Sequence, residues 1–269
     1  MVQNIPFIDM HCHAYPAKIA EKAVAHTNGF YGVEFNGQIG TPEELLSADE
    51  KAGIDLTLVC SVATTPHQVE SINRFIAEMV AQSGGKLLGL GTLHPGCEDI
   101  PAEIDKMLKM GFRGVKLHPD IQRFALNDEC GLRLLKACQG RLPVLVHGGD
   151  YRYSYSNPEQ ILDVLDACPD LTMVAAHFGC YSNWSRCEEL FSAERLYVDS
   201  SSTFPFLRRE MIEYLFRGFG TERVMFGTDY PMHFKNEVVD TFLSFDFNAE
   251  EKERMAHKNA EAVFHLPPL

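Results

Sequence analysis

The sequence predicts a parallel (β/α)8 barrel in a single domain, and three observations carry that prediction. Short β-rich apolar runs alternate with longer helical patterns from one end of the 269 residues to the other. From the third run onward their starts fall 24 to 30 residues apart, the length of one strand, one helix and two short loops. Polar residues able to bind metal recur at the carboxyl ends of these runs, where a closed parallel barrel gathers them around one mouth. An open doubly wound sheet shows the same alternation but need not bring its first and last strands together.

The strands are expected near 7–11, 55–62, 87–93, 113–118, 143–147, 171–177, 195–200 and 223–229. Helical stretches over 66–82, 98–110, 129–139, 158–168 and 205–217 repeat apolar residues three or four apart. Thr41-Pro42-Glu43-Glu44 reads as a helix start, with a capping hydroxyl, proline in the first turn and acids at the positive end of the dipole. The first unit is extended, and its segment 27–40 reads as a loop over the barrel mouth. One domain over 1–269 accounts for the whole pattern, which has no internal repeat and makes this a TIM barrel.

Composition narrows the function. The 24 Lys and Arg against 37 Asp and Glu leave a net charge of −13, and no stretch gathers basic residues into a phosphate-binding face. Nucleic acid is therefore not an expected partner. No apolar run approaches a membrane span, and the N-terminal residues show no export signal. The eight cysteines are scattered, without a CxxC pair, which fits a reduced cytoplasmic setting. The expected partner is a small-molecule substrate, and a homodimer is compatible with all of this.

The strand ends hold the chemistry. His11 and His13 are two apart and share one strand face. Lys116 and His118 do the same at the fourth strand, and the fifth, sixth and eighth strands end at His147, His177 and Asp229. Any one of these has a bland reading as a half-buried residue or a turn. Together His11, His13, His147 and Asp229 supply three imidazoles and a carboxylate, a donor set suited to Zn²⁺ with a position left for water.

The runs Phe7-Ile8-Asp9-Met10-His11-Cys12-His13, Gly114-Val115-Lys116-Leu117-His118-Pro119, Val144-Leu145-Val146-His147-Gly148-Gly149, Ala175-Ala176-His177-Phe178-Gly179 and Phe226-Gly227-Thr228-Asp229-Tyr230-Pro231 resemble the amidohydrolase superfamily. The nearest branch is the amidohydrolase-related group that includes aminocarboxymuconate-semialdehyde decarboxylase. The likeness runs to Lys258-Asn259-Ala260-Glu261-Ala262-Val263-Phe264, similar to that group's terminal helix. It implies one divalent metal, usually zinc, on His11, His13, His147 and Asp229, with His177 acting on metal-bound water or substrate. A two-metal arrangement would instead bridge through a carbamylated Lys116. With one metal, Lys116 sets charge at the cavity floor.

Three functions compete. The first expectation is a metal-dependent hydrolase of a small amide, lactone or ester. Bound water activated by the metal attacks the carbonyl, Asp229 moves the proton, and His177 assists at the oxyanion. The alternative is non-oxidative decarboxylation of a small aromatic or unsaturated acid, which needs a cation for the carboxylate. Arg152, beside Tyr151 in the loop after the fifth strand, is the expected cation, with Arg123 behind it. Tyr151, Lys116 and His118 join it as expected substrate contacts. The third reading is a catalytically silent barrel that only binds ligand. Phe30, Tyr31, Phe35, Tyr181 and Trp184 are expected to wall an aromatic pocket, and His233 is placed to reach it from the last loop.

Overall fold

The structure, a computed structural model, describes residues 5–35 and 37–269. Eight parallel strands follow one another in chain order: β1 (Ile8–His13), β2 (Leu56–Cys60), β3 (Leu87–Thr92), β4 (Gly114–Leu117), β5 (Val144–Val146), β6 (Met173–Ala175), β7 (Leu196–Asp199) and β8 (Val224–Met225). The ends of the sheet meet. Cys12 bridges Tyr230, the Met10 N–H donates to the Phe226 carbonyl at 3.2 Å, and the His13 N–H donates to the Tyr230 carbonyl at 2.7 Å. The barrel thus closes through a short eighth strand and the chain that follows it, and the expected 223–229 strand has only two residues in regular pairing.

Helices fill every interval but that between β6 and β7, which holds only 3-10 turns at His177–Gly179 and Trp184–Leu190: α1 (Ala20–Tyr31) and α2 (Pro42–Ala52) before β2, then α3 (Val69–Gln82), α4 (Ile100–Lys109), α5 (Pro119–Gln122), α6 (Glu129–Cys138), α7 (Pro158–Ala167) and α8 (Arg209–Phe219). After β8 come α9 (Lys235–Leu243), α10 (Ala249–Glu253) and α11 (Asn259–Phe264). Thr41 caps α2 as expected, its hydroxyl accepting the Glu44 N–H. Two expectations need correction. The segment 27–40 is helix as far as Tyr31, because Ala20 and Val24 bury one face of α1 and the chain leaves the helix only at Gly32, in the left-handed region. The helix expected from 205 starts at Arg209, since residues 201–206 form turns.

Side chains alternate across the sheet as its period of two requires. Outward residues such as Val115, Leu117, Val144, Val146 and Val198 pack under the helices. Inward residues, among them Ile8, Met10, Leu58, Leu90, Leu145 and Met225, fill the barrel, with Val263 and Phe264 of α11 packed against them. One interruption matters. The β1–β2 register shifts between Asp9 and Cys12, so Met10 packs inward with Ile8, His11 also faces the interior, and Cys12 returns to the outer core. Such a shift re-aims the side chains that follow it.

Asp9 faces outward into a buried polar knot. Its Oδ1 accepts the Thr228 N–H at 3.0 Å, and its Oδ2 accepts from Thr228 Oγ1 at 2.6 Å and Lys235 Nζ at 2.9 Å. Lys235, 1% exposed, also pairs with Asp49 of α2 at 2.5 Å. Removing a buried cation leaves two carboxylates without compensation, a loss of about 3–5 kcal/mol. Lys235→Met should therefore lower the thermal midpoint by roughly 10 °C. Adding Asp49→Asn should recover part of that loss, which calorimetry on the single and double variants would measure.

Candidate active site

The strand ends and the loops after them line a cavity of about 590 Å³ at the barrel mouth. Its floor holds His11, His13, Lys116, His118, His147, His177 and Asp229, and Tyr31, Phe35 and Tyr181 form part of its wall. Phe30 and Trp184 stand behind that wall, stacked on Tyr153 and Phe206 respectively.

Closure of the barrel brings β1 against the chain after β8. The Asp229 N–H donates to the His11 carbonyl at 2.9 Å, and a Cβ at Gly227 would come within 3.1 Å of the His11 Cβ, so glycine fits this close approach. Asp229 Oδ1 then lies 3.5 Å from His11 Nε2 and 3.3 Å from His13 Nε2. Its other oxygen accepts from Ser202 Oγ at 2.5 Å, and that hydroxyl also meets His233 Nε2 at 2.9 Å. His233 thus reaches the site through Ser202. Both Asp229 and His177 have φ near 60°, a left-handed conformation uncommon outside glycine and found at functional sites.

The tautomers of two histidines follow from their partners. His11 Nδ1 lies 2.9 Å from Asp199 Oδ2, so it donates there and turns the Nε2 lone pair to the cavity, where Lys116 Nζ donates at 2.8 Å. His177 Nδ1 lies 2.9 Å from the Ser201 carbonyl, which leaves its Nε2 as acceptor toward the site, 3.1 Å from His147 Nδ1.

Burial and Lys116 lower His11 to about 4, although Asp199 and Asp229 oppose them. Burial also works against the His13 cation, but Cys60 and Asp229 outweigh it and push His13 up to about 9. Asp229 stays well below the usual carboxylate range: burial opposes its charge, and His11, His13 and His177 overcome that cost. Burial lowers Lys116, against the pull of Cys60, Asp229 and Asp199. The floor is an array of donors whose charges depend on one another.

The expected residues are brought together unevenly. His11, His13 and Asp229 converge closely enough to hold one ion. His147 lines the same cavity but groups with His118 and Asp120 instead, its ring stacked 4.0 Å from His118 and its Nε2 3.6 Å from Asp120 Oδ2. That Nε2 and both Asp120 oxygens are buried without a hydrogen-bond partner among the described residues. Burial and the neighbouring Asp150 push Asp120 up to about 8.

Arg152 and Tyr151 lie outside the cavity lining, contrary to expectation. The Arg152 guanidinium is already committed: Nε and Nη2 donate to Asp150 at 2.9 and 2.7 Å, and Nη1 donates to the Phe30 carbonyl. It braces the end of α1, where the Tyr31 hydroxyl meets His118 Nε2 at 2.8 Å. Tyr151 is 72% exposed. Ser201, Ser202 and Asp120 lie beyond the strand ends and escape a reading of those ends, whereas Asp199 ends β7 and sequence reasoning missed it although its position carried the signal.

Comparison with solved structures agrees with this architecture. The chain is similar to 5-carboxyvanillate decarboxylase from Sphingomonas paucimobilis at 16% identity and a TM-score of 0.75, covering 98% of this chain and 100% of that one. A dihydroxybenzoic acid decarboxylase from Polaromonas, solved with manganese and the inhibitor 2-nitroresorcinol, matches at 14% identity and 0.74, covering 98% of each chain. An uncharacterised TIM-barrel protein from Bordetella bronchiseptica matches at 20% and 0.79, covering 97% of this chain and 99% of that one. No curated protein matches the sequence. Several similar structures are decarboxylases of aromatic acids, acting on 5-carboxyvanillate or dihydroxybenzoates, which overturns the expectation of a hydrolase of amides, lactones or esters. The amidohydrolase family model matches residues 8–266, nearly the full length, and the chain belongs to the amidohydrolase family.

Proposed function

We propose that this protein is a metal-dependent, non-oxidative decarboxylase of a small aromatic or unsaturated carboxylic acid. The observation that carries this reading is the pairing of convergent donors on His11, His13 and Asp229 with one buried amine, Lys116, on the floor of a cavity with largely apolar walls. The manganese bound in similar decarboxylases supports a divalent ion, and the nitrogen-rich donor set suits zinc as well.

The donors fit such an ion. His11 Nε2 and His13 Nε2 already face Asp229 Oδ1, and Asp199 and Ser202 hold two of these groups from behind. His147 is the fourth proposed ligand; its Nδ1 faces the same space as His177. When bound, a divalent cation supplies a positive anchor for substrate oxygens. With Arg152 committed to Asp150, Lys116 takes the role of cation toward the substrate carboxylate, and His118 and Tyr31 border the ring.

Decarboxylation needs a proton at the carbon that bears the carboxylate. His177 and Asp229 are the groups at the reacting end able to relay it: Asp229 is ionised and His177 Nε2 is an acceptor, so either first takes a proton from water or a substrate hydroxyl and then passes it to the carbon. Once the proton is in place, the bond to the carboxylate breaks, its electron pair restores the π system, and CO₂ leaves. The net change is R–COO⁻ plus H⁺ to R–H plus CO₂. Largely apolar walls favour the step because they give the anionic carboxylate less stabilisation than water does.

Purified protein supplied with Mn²⁺ should release CO₂ from 2,6-dihydroxybenzoate or 5-carboxyvanillate in equal amount to the acid consumed, and a chelator should stop it. His177→Ala should slow release by about 100-fold or more. Acid that is never consumed, with metal bound, would contradict the proposal. Metal analysis should find one equivalent that His13→Ala loses and Arg152→Ala keeps. Asp199→Asn should weaken metal affinity by about 10–100-fold, read by competition with a chromophoric chelator.

A further inference from the structure

The cavity extends well beyond the floor. It is lined by Ile19, Ala23 and Thr27, spaced four apart along one face of α1 and its entry. Gln68, Ile72 and Phe75, from one face of α3 and its entry, line it as well. At 1.5 Å rise per residue these faces run for roughly 10–12 Å. The fully buried residues of these helices lie beside them: α3 buries Val69, Asn73, Ile76 and Met79, and α1 buries Ala20 and Val24, while Ile72 and Phe75 pack partly against the core and partly line the cavity. Ile72 and Phe75 remain half-buried against the cavity, and Ile19 is 50% exposed at its rim.

A groove with apolar side chains from both helices, opening directly onto the reacting groups, is matched to an apolar part of a ligand. Floor and groove together enclose about 590 Å³, in the range of drug-sized ligands, ~300–1,000 Å³. The charge around it suits an acid: among the described residues Asp229 is the single acidic lining residue against Lys22 and Lys116, in a chain whose net charge is −13.

We infer that the α1–α3 groove holds an apolar extension of the substrate, so that the preferred acid carries an alkyl chain or second ring distal to its carboxylate. The inference rests on the decarboxylase reading for the orientation of the carboxylate toward the floor, and it is tested by binding rather than turnover.

The probes are 2,6-dihydroxybenzoates with unbranched 4-alkyl chains from none to hexyl, titrated calorimetrically into the Mn²⁺-loaded protein. Affinity should rise about three- to fourfold per methylene over the first several carbons. Ala23→Trp and Ile72→Trp each fill the groove from one helix. Each should weaken the hexyl acid at least tenfold while leaving the unsubstituted acid within about twofold. Affinity that is undetectable, flat or falling with chain length overturns the inference, as does an equal loss for short and long acids in both variants. Length-dependent binding without CO₂ release refutes the decarboxylase reading alone. CO₂ release from the short acid with flat affinities refutes the groove alone.

Discussion

Asp9 lies in the wall between the first and last strands, where it accepts hydrogen bonds from the backbone and hydroxyl of Thr228 and an ion pair from Lys235. This buried carboxylate ties β1 to the chain that ends in Asp229, across a seam with little regular strand pairing. The imidazoles of His11 and His13 come from one side of the seam, and the carboxylate of Asp229 comes from the other. Without closure at this point the donors would belong to opposite edges of a sheet. A buried ion pair adds little net stability when complete. Here its value is geometric, because two segments more than 200 residues apart in sequence must meet at hydrogen-bond distance.

The same economy of charge governs the floor. A lysine, five histidines and an aspartate share one cavity floor, and burial together with charged neighbours shifts their protonation. Asp199 fixes the tautomer of His11, the Ser201 carbonyl fixes that of His177, and Ser202 orients Asp229. These supports come from β7 and the turns that follow it, so that stretch contributes orientation while other strands contribute the reacting groups. Arg152 shows the reverse situation. Its charge lies near the mouth, yet Asp150 and the Phe30 carbonyl use its donors to hold α1 in place.

Much of this was legible in the sequence for a simple reason. Parallel strands buried on both faces have a period of two, so a polar residue closing an apolar run points predictably inward at the mouth. Lys116, His118, His147 and Asp229 reach the cavity floor on that logic, and His11, His13 and His177 join them through local breaks in the alternation. The finer features depend on contacts between distant segments, which periodicity does not encode. The register shift that turns both Met10 and His11 inward is one such feature, and the grouping of His147 with His118 and Asp120 is another. Arg152 misled because a sequence does not reveal which cations are already paired. The type of reaction was illegible for a chemical reason: the same donors that activate water for hydrolysis also anchor a carboxylate for decarboxylation.

Barrel closure is proposed to create one metal position between His11, His13 and Asp229. Anomalous diffraction from crystals soaked in Mn²⁺ tests it most directly. One strong peak is expected within coordination distance of His11 Nε2, His13 Nε2 and an Asp229 oxygen, with Lys116 Nζ displaced from His11. A peak between His118, Asp120 and His147 with nothing at Asp229, or no peak at all, would contradict it.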